Sequence, residues 1–566
     1  MKPGTIRYPA DYNPIREYWE QIESGQVVVG WKIRQTYKKL NDDLTDTNSE
    51  YYYSHTRANH VIEFIENYCR HSKGKLGGQP VVLELWEKAL LAAVFGFIDI
   101  QDNRRCREAM LIVGKKNGKS LLASCVGLYL QVGDSEPGPE VYAVATKRDQ
   151  AKIIWLEAKR MVRKSPVLRK RIKALVSELD SGNYNDGVFK PLASDSDTLD
   201  GLNIHGILMD EFHQWKNGRP LYDIMADGVS AREQPLNFMT STAGTIREDI
   251  YDQKYEEAER VINGYFDEGG YKDERFLAFI YELDKRDEWL DPAMWPKANP
   301  GLGTIKNRKT LADKVEKAKN NHLLIRNLVC KDFNIRETSS EAWLPFEDLN
   351  NTATFDVAKL KPRYGIGGAD LSATTDLTAA SVLFMVPDDP VIYHLQMFWL
   401  PEDLLDKRTR EDKIPYDVWR DQGLLRTCPG NSVHAKYVTE WFLEVMHEHG
   451  IYLPWIGYDS WSAKYWVGEM ATYFGSAAMV PVIQGKKTLS GPMKKLGADL
   501  GSKLINYGNN PITKWCLTNT SVEIDKNNNI QPAKGTSQRR RIDGTAAMLN
   551  AYVVLQDKIA DYKNML

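Results

Sequence analysis

The sequence predicts an α/β protein built as two sheets in succession. The first is a parallel sheet with helices on both faces, and the second has strands that end in carboxylates. Three observations carry this. Between residues 109 and 245, apolar strand-like runs alternate with helical stretches, the pattern of a parallel sheet wound by helices. One of those runs, Met110-Leu-Ile-Val113, leads through Gly114-Lys-Lys-Asn-Gly-Lys-Ser120 into an apolar helix. In the last third of the chain, Asp370, Asp459 and Asp543 each stand at the end of an apolar element.

A chain of 566 residues is long enough for two or three domains. It is 42% hydrophobic and 27% charged, ordinary for globular protein. The net charge of −2 gives no global basic field, which leaves room for a local basic groove. The six cysteines, Cys69, Cys106, Cys125, Cys330, Cys428 and Cys516, are scattered without a C-x-x-C pair. They read as reduced and buried, without a zinc finger. Met1-Lys-Pro-Gly-Thr5 lacks the apolar core of a signal peptide. The longest apolar run, the ten residues Ala89 to Ile98, is too short to span a bilayer, so no membrane is expected.

Taken in order, residues 1–75 are polar and aromatic-rich, with helical spacing at Trp19 and Ile22 and again at Ile62, Phe64 and Ile65. They read as a helical extension packed on the next domain. Gly77-Gly78-Gln79-Pro80 breaks the chain before a helix running through Phe97. Residues 76–245 form the first α/β domain. Its strand candidates are Met110–Val113, Val141–Ala145, Val188–Leu192, Ile204–Met209 and Leu236–Met239, with a helix at Arg148–Lys164. Ligands on such sheets bind beyond the carboxyl ends of the strands, and three motifs fall there.

The first motif is a phosphate cradle. The N–H groups of Gly114, Lys115, Lys116, Asn117 and Gly118 and the following helix N-terminus face an anion. Lys119 would reach the terminal phosphates, and the Ser120 hydroxyl would hold Mg²⁺. The usual first glycine falls at Val113, and Gly114 stands one place late.

The second motif, Gly206-Ile-Leu-Met-Asp210-Glu211, is a strand that ends in two adjacent carboxylates. Asp210 suits the Mg²⁺ shell and Glu211 the general base that polarises the attacking water. The third, Thr240-Ser241-Thr242-Ala-Gly244, ends a strand in small hydroxyl residues that can sense the γ-phosphate and relay the change. Together these describe a phosphate-loop (P-loop, ASCE-type) NTPase.

Residues 246–345 are charged and helical, with a rigid break at Asn299-Pro-Gly-Leu-Gly303 and a helix pair over Lys309–Lys331. They read as a lid and linker subdomain. Lys314, Lys317 and Lys319 fit a solvated face better than a DNA contact.

Residues 346–566 open with Tyr364-Gly-Ile-Gly-Gly-Ala-Asp370, a strand ending in a carboxylate, and continue with strands at Ala379–Met385 and Val391–Phe398. Asp459 ends another strand, and Asp543 begins an apolar helix. This order suits an RNase H-like nuclease, in which two divalent ions clamp the scissile phosphate and activate water. Such ions, Mg²⁺ or Mn²⁺, prefer carboxylate oxygens. Asp376 is a weaker fourth candidate. Lys534 and Arg539–Arg541 could pair DNA phosphates, and a solvated basic loop fits them nearly as well. His447-Glu-His449 reads as a surface turn.

These pieces resemble the large terminase subunit of tailed bacteriophages over about residues 80–566. Further stretches carry the likeness: Val141-Tyr-Ala-Val-Ala-Thr-Lys-Arg-Asp-Gln150, Leu199-Asp-Gly-Leu-Asn203, Ala298-Asn-Pro-Gly-Leu-Gly303, Gln484-Gly485, Leu489-Ser-Gly-Pro492 and Arg541-Ile-Asp543-Gly. The resemblance implies ATP-driven translocation of double-stranded DNA into a procapsid through a portal protein, and metal-dependent cutting of concatemeric DNA. It implies a small terminase subunit as partner, a homo-oligomeric ring, expected to be a pentamer, and a place in the host cytoplasm.

It carries over Lys119, Ser120 and Asp210 for phosphate and Mg²⁺, Glu211 as base and Thr240–Thr242 as coupling motif. It makes Asp370, Asp459 and Asp543 the nuclease metal ligands. Lys115 stands where relatives often have Arg, and Glu87 where they have an adenine-contacting Gln. Asp200 occupies the place of a trans-acting Arg, for which Arg232 is the substitute this chain offers. Two other readings share part of the pattern: a helicase-like translocase with a non-catalytic C-terminal clamp, and an RNase H-like transposase with a regulatory ATPase.

Overall fold

The structure, a computed structural model, describes residues 5–74, 76–193, 201–215, 218–244, 250–320, 322–337, 342–371, 377–409, 414–460, 464–525, 527–534 and 541–566. Leu199, Asp200, Asp376, Arg539 and Arg540 lie outside these. The chain divides into two compact units, Met1–Thr245 with Asp249–Arg336, and Ile246–Glu248 with Glu337–Leu566.

The first unit opens with helices α1 (Pro14–Glu23), α2 (Trp31–Asp43), α3 (His55–Tyr68) and α4 (Leu85–Gly96). In α1, Ile15, Tyr18, Trp19 and Ile22 recur at i, i+3, i+4 and i+7, and all are buried. That stripe is what an amphipathic helix needs to dock. The Asn13 side chain caps α1 and that of Ser54 caps α3, each satisfying a first-turn N–H. The N-terminal helices share one core with α4 and the sheet, and Thr36 Oγ1 donates to Ala278 O at 3.2 Å.

The sheet contains β1 (Glu108–Ile112), β2 (Glu140–Ala145), β3 (Lys173–Ala174), β4 (Leu179–Ser181), β5 (Gly187–Ala193), β6 (Ile204–Met209), β7 (Leu236–Ser241) and β8 (Phe276–Ile280), in the order β8-β1-β7-β6-β2-β5-β4-β3. The six strands from β8 to β5 are parallel, and β4 and β3 close one edge antiparallel. All six residues of β6 and of β7 are buried, as in strands covered on both faces.

Helices α5 (Lys119–Val132), α6 (Arg148–Lys164), α7 (Arg219–Gly228) and α8 (Ile250–Gly264) connect the strands. A pair, α9 (Arg308–Lys319) and α10 (His322–Phe333), follows. Reading 246–345 as charged and helical missed β8. The run Phe276-Leu-Ala-Phe-Ile280 is a parallel partner of β1, so the first sheet does not end at 245.

The second unit has β9 (Tyr364–Asp370), β10 (Thr378–Phe384), β11 (Ile392–Pro401), β12 (Arg426–Cys428), helix α11 (Lys436–Glu448), β13 (Tyr452–Asp459), α12 (Lys464–Phe474), β14 (Met479–Val482), α13 (Lys486–Gly501), β15 (Ile505–Asn506) and α14 (Pro511–Asn519). The hairpin β16 (Ser521–Ile524) and β17 (Ile530–Ala533) and helix α15 (Asp543–Asp557) follow. The sheet order is β12-β11-β10-β9-β13-β14, with β15 beside β11. Strands β9, β10 and β11 form an antiparallel meander, and β13 joins β9 in parallel.

Helix α15 crosses the face of β9, β10 and β13. Glycines make this approach possible. A Cβ at Gly368 would collide with Ala547 O and come within 2.5 Å of Ala551 N, and one at Gly457 would collide with Asn550 O. All six cysteines are free and buried, as the sequence suggested. Among the described residues no helix is long and apolar enough to cross a membrane.

Candidate functional site

In the first unit, the carboxyl ends of β1, β6 and β7 bring the three motifs together. The loop after β1 enters α5 through Gly118, whose φ of 85° suits glycine. A Cβ at Gly114 would lie 2.5 Å from Asn299 Oδ1 and 2.6 Å from Asp332 O, so glycine at this shifted position is required by what packs on the loop. Gly114 N donates to Ala298 O and Lys115 N to Lys331 O. Asn117 is wholly buried. Lys116 has a left-handed φ of 70°.

The two central contacts pair the loop with the end of β6. Lys119 Nζ lies 2.6 Å from Glu211 Oε1, and Ser120 Oγ donates to Asp210 Oδ2 at 2.6 Å. Asp210 is 6% exposed, and its other oxygen accepts Thr240 Oγ1 and Glu211 N, each at 2.9 Å. Glu211 takes a left-handed φ of 49°, unusual for a residue with a Cβ, and this swings its side chain off the strand line toward Lys119. Burial alone would raise the Glu211 carboxyl. Lys119 foremost, with His213 and Lys115, holds it below the usual carboxylate range. It is therefore ionised, the state a general base requires.

Ser241 Oγ accepts His213 N at 3.0 Å and lies 2.9 Å from His213 Nδ1. His213 Nδ1 is also 3.4 Å from Glu211 Oε2. Thr242 is wholly buried, and its hydroxyl has no hydrogen-bond partner among the described residues. The oxygen donors and the ammonium fit a magnesium–triphosphate group, since hard cations take carboxylate and hydroxyl oxygens.

Arg232, the substitute offered for the trans-acting arginine, is engaged within its own chain. Its guanidinium holds Glu136 Oε1 at 2.8 Å, Pro137 O at 3.0 Å and Gly138 O at 2.7 Å. Those segments precede β2, at the amino ends of the parallel strands, whereas the loop follows the carboxyl end of β1. Glu87 is 3% exposed and accepts Glu84 N at 2.9 Å. Its Oε1 lies 3.6 Å from where a Gly118 Cβ would stand, and burial pushes its carboxyl up to about 8.

In the second unit, Ala369 pairs with Tyr458 in the parallel β9–β13 ladder. Asp370 and Asp459 therefore follow at matching positions on neighbouring strands, about 5 Å apart at the backbone. Gly368 and Gly457 face α15. Side chains alternate along a strand, so Asp370 and Asp459 share that face. Asp543, 5% exposed, starts α15 one turn before Ala547. Burial, then the negative charge of Asp543 and after it that of Asp370, raise the Cys516 thiol.

The side chains themselves are not closed into a cage. Among the described residues no three Asp, Glu, His or Cys side chains stand together as ligands of one ion. That is narrower than the shared three-aspartate site expected from the sequence. The all-oxygen donor set still fits Mg²⁺, which keeps several waters and takes one or two carboxylates.

The sequence assigned no site role to Asn299, read only as part of the 299–303 break and of a family-like stretch, nor to Lys306, His213 and Asn550. Asn550 Nδ2 donates to Ala369 O at 2.9 Å, and its Oδ1 accepts Gln484 Nε2 at 3.1 Å. An amide seven residues after Asp543, inside the apolar stretch of the helix, was the available signal.

Comparison with known proteins decides the family. Residues 271–558 match the family model "Terminase large subunit, endonuclease domain", and residues 85–260 match "Terminase large subunit, ATPase domain". The chain belongs to the terminase large subunit family.

The large terminase subunit of Enterobacteria phage HK97 is 28% identical over 503 residues, covering 87% of this chain and 94% of that protein. Protein YmfN of Escherichia coli K12 is 27% identical over 376 residues, covering 62% and 77%. The crystal structure of the HK97 bacteriophage large terminase matches with 26% identity and a TM-score of 0.46, over 88% of this chain and 99% of that one. This terminase large subunit thus carries a P-loop ATPase domain and an RNase H-like endonuclease domain, the enzyme of a DNA-packaging motor that also cuts DNA. Its two domains use nucleotide and divalent metal.

Proposed function

We propose that ATP is hydrolysed at the junction of the Gly114–Ser120 loop with Asp210 and Glu211, and DNA is cut at the corner formed by Asp370, Asp459 and Asp543. The observation that supports the first half best is the doubled pairing of Lys119 with Glu211 and Ser120 with Asp210. Lys119 binds the terminal phosphates. Ser120 and Asp210 would hold the magnesium ion, which when bound offsets the phosphate charge. Glu211 takes a proton from the attacking water. Thr240, Ser241 and Thr242 sense the γ-phosphate, because Thr240 shares Asp210 with Ser120 and Ser241 touches His213 beside Glu211.

In the endonuclease, Asp370, Asp459 and Asp543 would hold two divalent ions, which supply the activated water and stabilise the departing oxygen. Asn550 keeps the end of β9 against α15. Lys534 and Arg541 lie in the segment before Asp543 and suit phosphate pairing.

The motor's partners in this reading are double-stranded DNA, the small terminase subunit and the portal protein of the procapsid. The chain acts there as a homo-oligomeric ring in the host cytoplasm. A plasmid digestion with and without Mg²⁺ or Mn²⁺, run beside phosphate release, tests both halves. Lys119→Ala should stop phosphate release and leave cutting. Asp459→Ala should do the reverse. If each substitution removes both activities, the assignment of separate sites is wrong.

A further inference from the structure

The phosphate loop is held by more than its own strand and helix. Asn117 Nδ2 donates to Gly114 O at 2.7 Å and to Asn299 Oδ1 at 2.9 Å, and Asn117 Oδ1 accepts Gly301 N at 3.2 Å. Asn299, wholly buried, has every amide position engaged. Its Oδ1 also accepts Lys306 Nζ at 2.6 Å, and its Nδ2 donates to Trp295 O at 3.1 Å and Asp332 O at 2.9 Å.

Lys306 is 5% exposed and reaches Asp332 Oδ1 at 2.9 Å. Asp332, in α10, also holds Lys314 Nζ of α9 at 3.0 Å. An unbroken run of bonds therefore leads from the phosphate loop through Asn299 to the α9–α10 pair. Burial lowers the Lys306 ammonium, and the charge of Lys119 adds to that, so the hub lies close to the phosphate-binding lysine. A buried polar network with all members satisfied is rigid and costly to break in part.

We infer that Asn299 is a positioning residue for the nucleotide, fixing the 114–118 backbone through Asn117 and passing its rearrangement to α9–α10 through Lys306 and Asp332. The inference rests on the reading that this loop binds ATP. A rigid cradle binds at lower entropic cost than one that must be ordered on contact. Loosening it should weaken binding more than the chemical step.

The test is hydrogen–deuterium exchange of the full-length chain with Mg²⁺ and the analogue ATPγS, beside steady-state ATP hydrolysis. In the unsubstituted chain, ATPγS should slow exchange at 114–122 and change it at 308–333. In Asn299→Ala, saturating ATPγS should still protect 114–122 while the response at 308–333 falls to what the direct Lys115 N–Lys331 O bond carries. The KM for ATP should rise about tenfold, the worth of the one hydrogen bond lost to Asn117 of the loop, with a smaller change in kcat. Lys306→Met, which leaves the Asn117–Asn299 contact in place, should show the same reduced response at 308–333 with KM nearly unchanged.

A full response at 308–333 in both variants overturns the inference, as does an unchanged KM in Asn299→Ala. If ATPγS protects nothing at 114–122 in the unsubstituted chain, the nucleotide reading itself falls. A protein destabilised at Asn299 would show faster exchange throughout with and without ATPγS. The Lys306→Met response then decides the matter.

Discussion

The Lys119 ammonium lies 2.6 Å from the Glu211 carboxylate, so the cation proposed to bind phosphate and the proposed general base neutralise each other. On the proposed reading a triphosphate takes Lys119 from Glu211, and the freed carboxylate then faces the attacking water. In that reading, binding and activation of the base are one event.

Removing the charge at Glu211 should separate the two. Glu211→Gln leaves Lys119 without its competitor, so ATP should bind at least as tightly as in the unsubstituted chain. Hydrolysis should fall about 10²–10⁴-fold, the usual contribution of a general base. Titration with a fluorescent ATP analogue and phosphate release measure these separately. Hydrolysis within tenfold of the original rate would remove Glu211 from the role.

Much of this site could be read from residue order, because a phosphate loop is local: strand, glycine, Lys-Ser and helix are contiguous. Asp210 and Glu211 were legible for the same reason, as carboxylates at the end of an apolar run. Asn299 and Lys306 were not, since their role comes from packing against a loop some 180 residues earlier. Strand β8 was missed because five apolar residues after a charged stretch fit a buried helix segment equally well. In the second unit, the three aspartates were visible as element ends. Their alignment depends on β9–β13 register and on glycines that admit α15, neither of which periodicity specifies.

Glu87 should make stability depend on pH. Its folded-state carboxyl titrates near 8 because of burial, against an ordinary 4.5. Between those values the folded chain keeps a proton that the unfolded chain has released. The contribution is therefore fully present below about pH 4.5, declines as pH rises, and is gone above about 8. Glu87→Gln carries no such group. Its Tm should hold up better than that of the unsubstituted chain between pH 6 and pH 9, the gap opening by a few degrees. Parallel Tm curves over that range would contradict the burial of an ionisable Glu87.

The carboxylates proposed for the nuclease should be separable from the ATPase. Asp370→Asn, Asp459→Asn and Asp543→Asn each keep shape and remove charge. Each should lower metal-dependent plasmid cutting about a hundredfold or more while ATP hydrolysis continues. Mn²⁺ titration followed by electron paramagnetic resonance gives a second readout, with weaker binding expected in every variant. Undiminished Mn²⁺ binding in all three would place the metal elsewhere.

Gly457 offers a way to disturb that corner without touching a carboxylate. A methyl group there meets Asn550 O, with Val554 Cγ2 at 2.9 Å. Backbone cannot rotate aside as a side chain can, so α15 must move off β13. The helix carries Asp543 at its first turn and Asn550 in contact with Ala369 O, and a lifted helix draws both away from Asp370 and Asp459. Gly457→Ala should cost about 1–3 kcal/mol, as overpacking does, and reduce cutting more than tenfold at temperatures where the protein stays folded. Gly468→Ala is the control: it lies in α12 with nothing within 4 Å of a new Cβ. There the helix should gain a few tenths to about 1 kcal/mol, and cutting should not change. Equal cutting by the two variants would show that the seat of α15 on β13 does not set the geometry of the carboxylates.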